Sequence, residues 1–174
     1  MSMRYRTLGK TGLNVSIIGF GAAPLGGIYG PFTESESTQT VHQAIDQGIN
    51  LFDTSPYYGI KLGEEVLGRA LKGVREKVIL ATKCGRITQP EFNFKADFIV
   101  KSMEESLQRL QTDHIDIFQA HDIEFDLSSH DWAQAMKPRD GSTPDKRAGH
   151  APHRGHVVPR RELCRNALAG VRAH

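Results

Sequence analysis

Along the first 128 residues, short continuous runs of apolar residues alternate with segments in which apolar residues recur every three or four positions. The runs predict strands, and the segments predict helices. Short apolar runs predict strands near residues 16–21, 49–52, 77–82 and 115–120. Apolar residues at helical spacing lie between these runs. They predict one helix from Val41, Ala44 and Ile45, a second from Val66, Leu67, Ala70 and Leu71, and a third from Phe98, Met103, Leu107 and Leu110.

Capping and turn residues predict where these elements begin and end. Thr33 is followed three residues later by Glu36, the capping-box spacing that predicts the start of the first helix. Gly48 is the predicted stop for that helix, and Gly73 the predicted stop for the second. Before the first strand, residues 3–15 contain two glycines and predict a small hairpin.

The order of these elements predicts an α/β fold. The strands begin about 30 residues apart with a helix between each pair, which is the βαβ spacing and implies a parallel sheet. A complete (β/α)₈ barrel takes typically about 250 residues, whereas this chain has 174. The chain can therefore hold at most about half of such a barrel.

A change in composition separates residues 1–128 from residues 129–174. The first segment carries 13 Lys and Arg against 16 Asp and Glu, and the second carries 9 against 4. The second segment also holds five of the eight histidines and few large apolar side chains. Such a composition cannot offset the entropy of ordering, so we expect a largely disordered basic tail, with a short helix near residues 162–171.

Two other interpretations of this tail stay open. Its three histidines at a spacing of three, His150, His153 and His156, could bind a transition metal together with Cys164. We favour a simple His-rich basic tail and predict no metal site. An abrupt shift to Arg, Pro and His also arises when a reading frame is lost. Genomic sequencing reads that span codons 126–132 would test this.

Whole-chain properties exclude several classes of protein. A formal net charge of +2 argues against a basic nucleic-acid binder, and two cysteines argue against a disulfide-rich secreted scaffold. The chain contains no apolar run of about 18 residues and no signal-peptide pattern at its N-terminus. We therefore expect a cytoplasmic protein that binds neither membrane nor nucleic acid.

Four residues with useful chemistry follow the predicted strands. Asp53, Lys83 and His121 stand at three successive strand ends, and Tyr58 follows Asp53 by five residues. The carboxyl ends of parallel strands meet at one edge of the sheet, where active sites of such folds lie. We therefore expect these side chains to share one site.

This set of side chains suits carbonyl chemistry. A phenol is a weak acid near neutrality, and a neighbouring ammonium stabilises the phenolate. A carboxylate can hold the ammonium in place, and an imidazole can orient a carbonyl oxygen by a hydrogen bond. Such a site could protonate a carbonyl oxygen as hydride arrives at the carbonyl carbon, or run the reverse reaction. Because no side chain supplies hydride, this reaction requires a redox cofactor.

At these residues the chain resembles the aldo-keto reductase family, over about residues 3–127. The motifs that carry the resemblance are Gly-Phe-Gly at 19–21, Phe-Asp-Thr-Ser-Pro-Tyr-Tyr-Gly at 52–59, Ala-Thr-Lys-Cys-Gly at 81–85, Ser-Leu-Gln-Arg-Leu at 106–110 with Asp116, and His-Asp at 121–122. The segments 55–59, 83–86 and 121–125 are most similar to the family branch of bacterial and plant sugar dehydrogenases.

The resemblance implies a (β/α)₈ TIM-type barrel and NAD(P)-dependent reduction of a carbonyl or oxidation of a sugar hydroxyl. It makes Tyr58 the general acid/base, Lys83 its activating partner, Asp53 the partner of Lys83, and His121 the residue that orients the substrate. Gly21 and Asp53 are the implied contacts to NAD or NADP. The substrate would be a small sugar or related carbonyl compound.

The family continues through four more βα units that this sequence lacks. We therefore expect the truncated N-terminal half of the barrel in residues 1–128, followed by the tail in residues 129–174. Three interpretations follow: an active enzyme, with self-association as one route to activity; a truncated or frame-shifted relic without activity; or a regulatory binding module that uses the tail as its contact surface.

Overall fold

The structure is a computed structural model that describes residues 2–88 and 92–123. The chain starts with an antiparallel hairpin of β1 (Tyr5–Thr7) and β2 (Asn14–Ser16), in which Arg6 pairs with Val15. This confirms the hairpin predicted from residues 3–15.

A parallel four-stranded sheet follows the hairpin. Its strands are β3 (Gly19–Gly21), β4 (Leu51–Asp53), β5 (Ile79–Cys84) and β6 (Ile117–Ala120), and they neighbour one another in chain order. Each adjacent pair is parallel. Four parallel strands in chain order, joined through helices, form the arrangement of half a (β/α)₈ barrel, which confirms the predicted fold class.

Three helices connect these strands: α1 (Glu34–Asp46), α2 (Leu62–Ala70) and α3 (Ala96–Leu110). The capping box predicted for α1 is confirmed, because the Glu36 amide donates to the Thr33 hydroxyl and the Thr33 amide donates to the Glu36 carboxylate. Gly48 follows α1 with a left-handed φ of 88°, which confirms it as the stop.

The prediction of one buried strand over residues 16–21 is wrong. Ser16 belongs to β2, while Ile17 and Ile18 are 44% and 57% exposed. The cause is hydrogen bonding to the hairpin, since the Ile17 amide donates to the carbonyl of Arg4. The later strands begin about two residues after their predicted starts; before β5 the reason is a short helical turn over Arg75–Lys77.

The hydrophobic core lies between the sheet and its helices. Side chains alternate along β5: Leu80, Thr82 and Cys84 are fully buried beneath the helices, and Lys83 lies on the opposite face of the sheet. The largest apolar side chains of the core are Phe52, Phe118 and Leu80 from the strands, Leu67 and Leu110 from the helices, and Leu71 and Phe94 from connecting segments.

A buried ionic cluster ties the helix layer to β5. Glu64 in α2 accepts a hydrogen bond from Thr82 at 2.6 Å and one from Nε of Arg109 at 2.6 Å. Helices α2 and α3 can approach this closely because Gly68 has no side chain: a Cβ there would lie 2.6 Å from the carbonyl oxygen of Arg109. The cluster therefore depends on tight packing of both helices.

Residues 124–174 lie outside the described residues, and so do the predicted boundary near 128, the basic tail, its short helix and its histidines. Among the helices of residues 2–88 and 92–123, none is long and apolar enough to cross a membrane. Within the same ranges, no three His, Cys, Asp or Glu side chains are grouped so that they could hold a metal ion.

Candidate active site

Lys83 lies near the carboxyl end of β5 and contacts three oxygen atoms. Its Nζ is 2.5 Å from Oδ1 of Asp53, 2.9 Å from the carbonyl oxygen of Thr54 and 3.3 Å from the hydroxyl of Tyr58. An ammonium has three N–H donors, so each has an acceptor. With 12% of its side chain exposed, Lys83 is a fixed positive charge beside a phenol.

Asp53 is the last residue of β4 and lies in register with Gly21 on β3 and Ala81 on β5. Its side chain is 36% exposed, so the carboxylate that binds Lys83 is also accessible from outside the protein. The register places Asp53 on the same face of the sheet as Lys83, because it pairs with the residue two positions before Lys83.

The loop that carries Tyr58 is held by a contact between two glycines. A Cβ on Gly59 would lie 2.2 Å from the carbonyl oxygen of Gly26, and a Cβ on Gly26 would lie 2.7 Å from the carbonyl carbon of Tyr58. Gly59 also has a left-handed φ of 63°. Both positions therefore require glycine, and their backbones pack directly against each other beside Tyr58.

His121 follows β6 directly. Its backbone amide donates to the carbonyl of Cys84 at 2.9 Å and so extends the β5–β6 pairing by one residue. Its ring lies edge-on to Tyr58, with 6.0 Å between ring centroids, and its Nδ1 is 3.0 Å from the hydroxyl oxygen of Ser55. The structure thus brings all four predicted residues to one edge of the sheet.

Burial lowers the pKa of His121 below its ordinary value, because the charged imidazolium loses contact with water. The positive charges of Lys83 and Arg86 lower this pKa further, while Asp122 and Asp53 act in the opposite direction. His121 is therefore neutral near pH 7, and its 3.8 Å approach to the Asp122 carboxylate is not an ion pair there.

A second cationic side chain borders the site. The guanidinium of Arg86 lies 3.9 Å from the centroid of the Tyr57 ring, pairs with Asp122 and is mostly buried. This stacking holds the Tyr57 ring against the guanidinium beside the site.

Cys84 is fully buried, and burial raises the pKa of its thiol to about 12. This cysteine is therefore not a nucleophile at neutral pH.

Three residues at this site were missed by sequence reasoning. Thr54 contributes a carbonyl oxygen to Lys83, and Ser55 contacts His121. Gln119 pairs in register with Lys83 and lies on the same face. Strand alternation counted back two positions from His121 would have indicated Gln119, whereas nothing in the local sequence distinguishes Ser55 from an ordinary turn residue.

Space for a flat cofactor ring exists at the end of β3. A Cβ added to Gly21 would have no atom within 4 Å, so a planar ring can approach this strand end beside Asp53. Residues 19–24 do not form a dinucleotide-binding glycine loop, because Pro24 stands where the third glycine of that loop is required. The residues described here fit the nicotinamide end of such a cofactor.

The fold is the arrangement of half a (β/α)₈ barrel, and the candidate site lies at the carboxyl ends of its strands. A family model described as "Aldo/keto reductase family" matches residues 17–139. The chain belongs to this family, whose members are oxidoreductases that generally use NAD(P)H.

Curated relatives extend this result. The chain is 53% identical over 123 residues to L-galactose dehydrogenase of Arabidopsis thaliana, a match that covers 69% of this chain and 38% of that protein. It is 42% identical over 125 residues to the aldo-keto reductase YhdN of Bacillus subtilis, covering 68% of this chain and 38% of the relative. The matches thus span about two fifths of the length of these relatives.

A solved structure gives the same picture. The chain is similar to the aldo-keto reductase AKR11C1 from Bacillus halodurans in its holo form, with a TM-score of 0.65 and 34% sequence identity. The similarity covers 76% of this chain and 45% of that one. It identifies the sheet and helices described above as part of an aldo-keto reductase barrel.

Proposed function

We propose that this chain carries out NAD(P)-dependent hydride transfer of the aldo-keto reductase type, on a sugar hydroxyl or the corresponding carbonyl group. The observation that carries the proposal is the contact of the Tyr58 hydroxyl with Lys83, which is itself held by Asp53. A phenol, an ammonium and a carboxylate in contact one after another form a unit suited to proton transfer at the phenol.

Tyr58 is the general acid/base in this proposal. In the reducing direction its hydroxyl gives a proton to the carbonyl oxygen, and in the oxidising direction the phenolate accepts the proton of the alcohol. Lys83, 3.3 Å from the hydroxyl oxygen, stabilises the negative charge left on that oxygen. The hydride at the carbonyl carbon is what a bound nicotinamide cofactor supplies or accepts.

His121 orients the substrate. Burial keeps its ring neutral near pH 7, so one ring nitrogen can donate a hydrogen bond to the substrate oxygen without placing a second positive charge next to Lys83. The rings of His121 and Tyr58 pack edge-on, and in this proposal the substrate oxygen lies where both can donate to it. Two donors at one oxygen fix the position of the carbonyl group for hydride transfer.

Gly21 and Asp53 are the proposed contacts to NAD or NADP, because the open strand end at Gly21 lies in register with Asp53. The sugar substrate is supported by the name of the Arabidopsis relative, L-galactose dehydrogenase, which shares 53% identity over the matched segment. Self-association stays a prediction that analytical ultracentrifugation of the full chain would test.

A pair of adjacent tyrosines provides the decisive experiment. We expect Tyr58→Phe to lower kcat for NAD(P)-linked sugar oxidation by about 10²–10⁴-fold, the usual contribution of a general acid/base. Tyr57→Phe is the matched control, since it removes a hydroxyl from the neighbouring ring and should keep activity within about tenfold. Equal activity in both variants would exclude the proposed role of Tyr58.

Cofactor binding is measured separately from turnover. Titration of the full chain with NADH and NADPH, followed by the fluorescence of the reduced nicotinamide, should show saturable binding that Tyr58→Phe leaves intact. A chain that binds neither nucleotide and oxidises no sugar would overturn the proposed function for this protein.

A further inference from the structure

Ser55 is fully buried next to the imidazole of His121. Its hydroxyl oxygen is 3.0 Å from Nδ1 of His121 and accepts a hydrogen bond from the backbone amide of Tyr57 at 3.1 Å. The hydroxyl therefore has two partners, and only one of them is fixed as a donor.

The hydrogen of this hydroxyl determines the protonation of the ring. A serine hydroxyl has one O–H donor and two lone pairs, and the Tyr57 amide uses one lone pair. Among the described residues, Nδ1 of His121 is the acceptor in contact with this hydroxyl. If Nδ1 carried a proton, two donors would point at each other or a buried hydroxyl would lack an acceptor, which is unfavourable.

The surroundings of Nε2 favour the same arrangement. This nitrogen is 3.8 Å from the Asp122 carboxylate, and a negative charge attracts the N–H that would point toward it. Arg86 binds Asp122 directly, so the carboxylate is engaged by another donor and does not close on the ring. At 3.8 Å the carboxylate is also beyond hydrogen-bond distance of Nε2, so the hydrogen on Nε2 can still be donated to a ligand.

We propose that Ser55 is a positioning residue that holds neutral His121 in the tautomer with the proton on Nε2. The inference rests on the proposed function for its purpose: a proton on Nε2 is the hydrogen that would be donated to the substrate oxygen. Ser55 itself touches neither substrate nor cofactor in this account and acts through the ring of His121.

The tautomer can be read directly by NMR. Long-range ¹H–¹⁵N spectra of the full chain at about pH 8, above the ordinary histidine pKa of about 6.5, distinguish the protonated ring nitrogen from the unprotonated one. The eight histidines are separated by comparison with His121→Gln. We expect wild-type His121 to carry its proton on Nε2.

Ser55→Ala removes the hydroxyl and keeps the rest of the side chain. We expect the ratio of the Nε2–H to the Nδ1–H tautomer to fall about fivefold, the effect of losing one ordinary hydrogen bond. Ser102→Ala is the matched control, because Ser102 is equally buried but its hydroxyl contacts no partner in the described structure. This control should leave the His121 spectrum unchanged.

Two results would overturn the inference: a proton on Nδ1 in the wild-type chain, or the same tautomer ratio in Ser55→Ala as in wild type. Should Ser55→Ala fail to fold by circular dichroism, Ser55→Cys replaces it: a thiol is a weaker donor than a hydroxyl, so the same fall in the Nε2–H to Nδ1–H ratio is expected, and an unchanged ratio would overturn the inference. Because the spectrum needs no turnover, a failure here is distinguishable from a failure of the proposed function, which the Tyr58→Phe assay detects.

Discussion

Two ionic groups lie on opposite faces of β5 and involve its consecutive residues Thr82 and Lys83. They differ in how much of their side chains is exposed to solvent. Thr82 contributes to the pair of Glu64 and Arg109 beneath the helices, and Lys83 binds Asp53 on the other face of the sheet. Glu64 is 0% exposed and the Arg109 side chain 11%, whereas the Asp53 side chain is 36% exposed.

The difference shows that one strand can contribute to a buried ion pair that joins the helices and, on its other face, to the accessible ion pair of the proposed active site. Both carboxylate oxygens of Glu64 are bound by protein donors, so this pair is closed and joins α2, β5 and α3. Asp53 holds Lys83 from an accessible position, next to a phenol that a ligand could reach. A carboxylate whose two oxygens are both bound within the protein contributes to stability, whereas a partly exposed ion pair stays accessible to a ligand.

Glu64→Ala should give the largest loss of stability, because it removes the fully buried carboxylate that binds Nε of Arg109 and leaves that guanidinium only its contacts with Glu105 and Ser106. Removing one member of a buried ion pair typically costs about 3–5 kcal/mol. We expect this loss in the free energy of unfolding, measured by urea denaturation of the full chain.

Glu65→Ala is the control for that substitution. Glu65 is the next residue of α2 and is exposed, so its removal should change the free energy of unfolding by less than about 0.5 kcal/mol. Similar losses for the two variants would show that Glu64 and Arg109 do not form a closed pair in solution.

Gly59→Ala should give the next largest effect and tests whether the exposed side of the sheet also depends on packing. Both Gly59 and Gly73 have left-handed φ, but a Cβ on Gly73 would meet no atom within 4 Å. We expect Gly73→Ala to cost about 1–2 kcal/mol from backbone strain, and Gly59→Ala to cost a further 1–3 kcal/mol from its collision with Gly26. Thermal unfolding of both variants measures the difference.

Lys83→Met should change stability much less than Glu64→Ala. Methionine fills a similar volume, and water can solvate the half-exposed Asp53, so we expect a change of about 1 kcal/mol or less. The same urea titration measures it. A loss as large as that of Glu64→Ala would remove the distinction between the two ionic groups.

Acidification should have the smallest effect, through His121. Its native pKa lies below the unfolded value of about 6.5, so the unfolded chain binds the extra proton first. The contribution to stability is complete above pH 6.5 and is lost as the pH falls toward the native pKa. The urea midpoint should therefore decrease less steeply with acidification in His121→Gln than in wild type, and parallel slopes would contradict this.

How well the sequence predicted each ionic group follows from its local context. Lys83 ends an apolar strand, an unusual place for a lysine, and this indicated a site. Glu64 stands in the first turn of α2 and Arg109 in the last turn of α3, where such charges ordinarily complement the helix dipole in solvent. Only the close packing at Gly68 brings the two together, and this depends on residues about 40 positions apart.

The ends of the strands, too, depend on contacts that the local sequence does not contain. The strands were predicted from apolar runs, but their starts depend on hydrogen bonds to neighbouring segments, such as the one from Ile17 to Arg4. Ser55 was missed because its partner His121 is 66 positions away. The sequence indicates which residue types reach the edge of the sheet, and the packing of loops determines which atoms meet.

The alternation of β5 makes the spacing of its residues as important as their identity. A one-residue insertion or deletion just before Ile79 would exchange the two faces of the strand. Lys83 would then face the helices, and a hydroxyl would face Tyr58. Every side chain would still be present, yet the buried contact of Thr82 with Glu64 and the contact of Lys83 with Asp53 would both be lost. The length of the turn before β5 therefore determines which atoms meet on either side of the sheet.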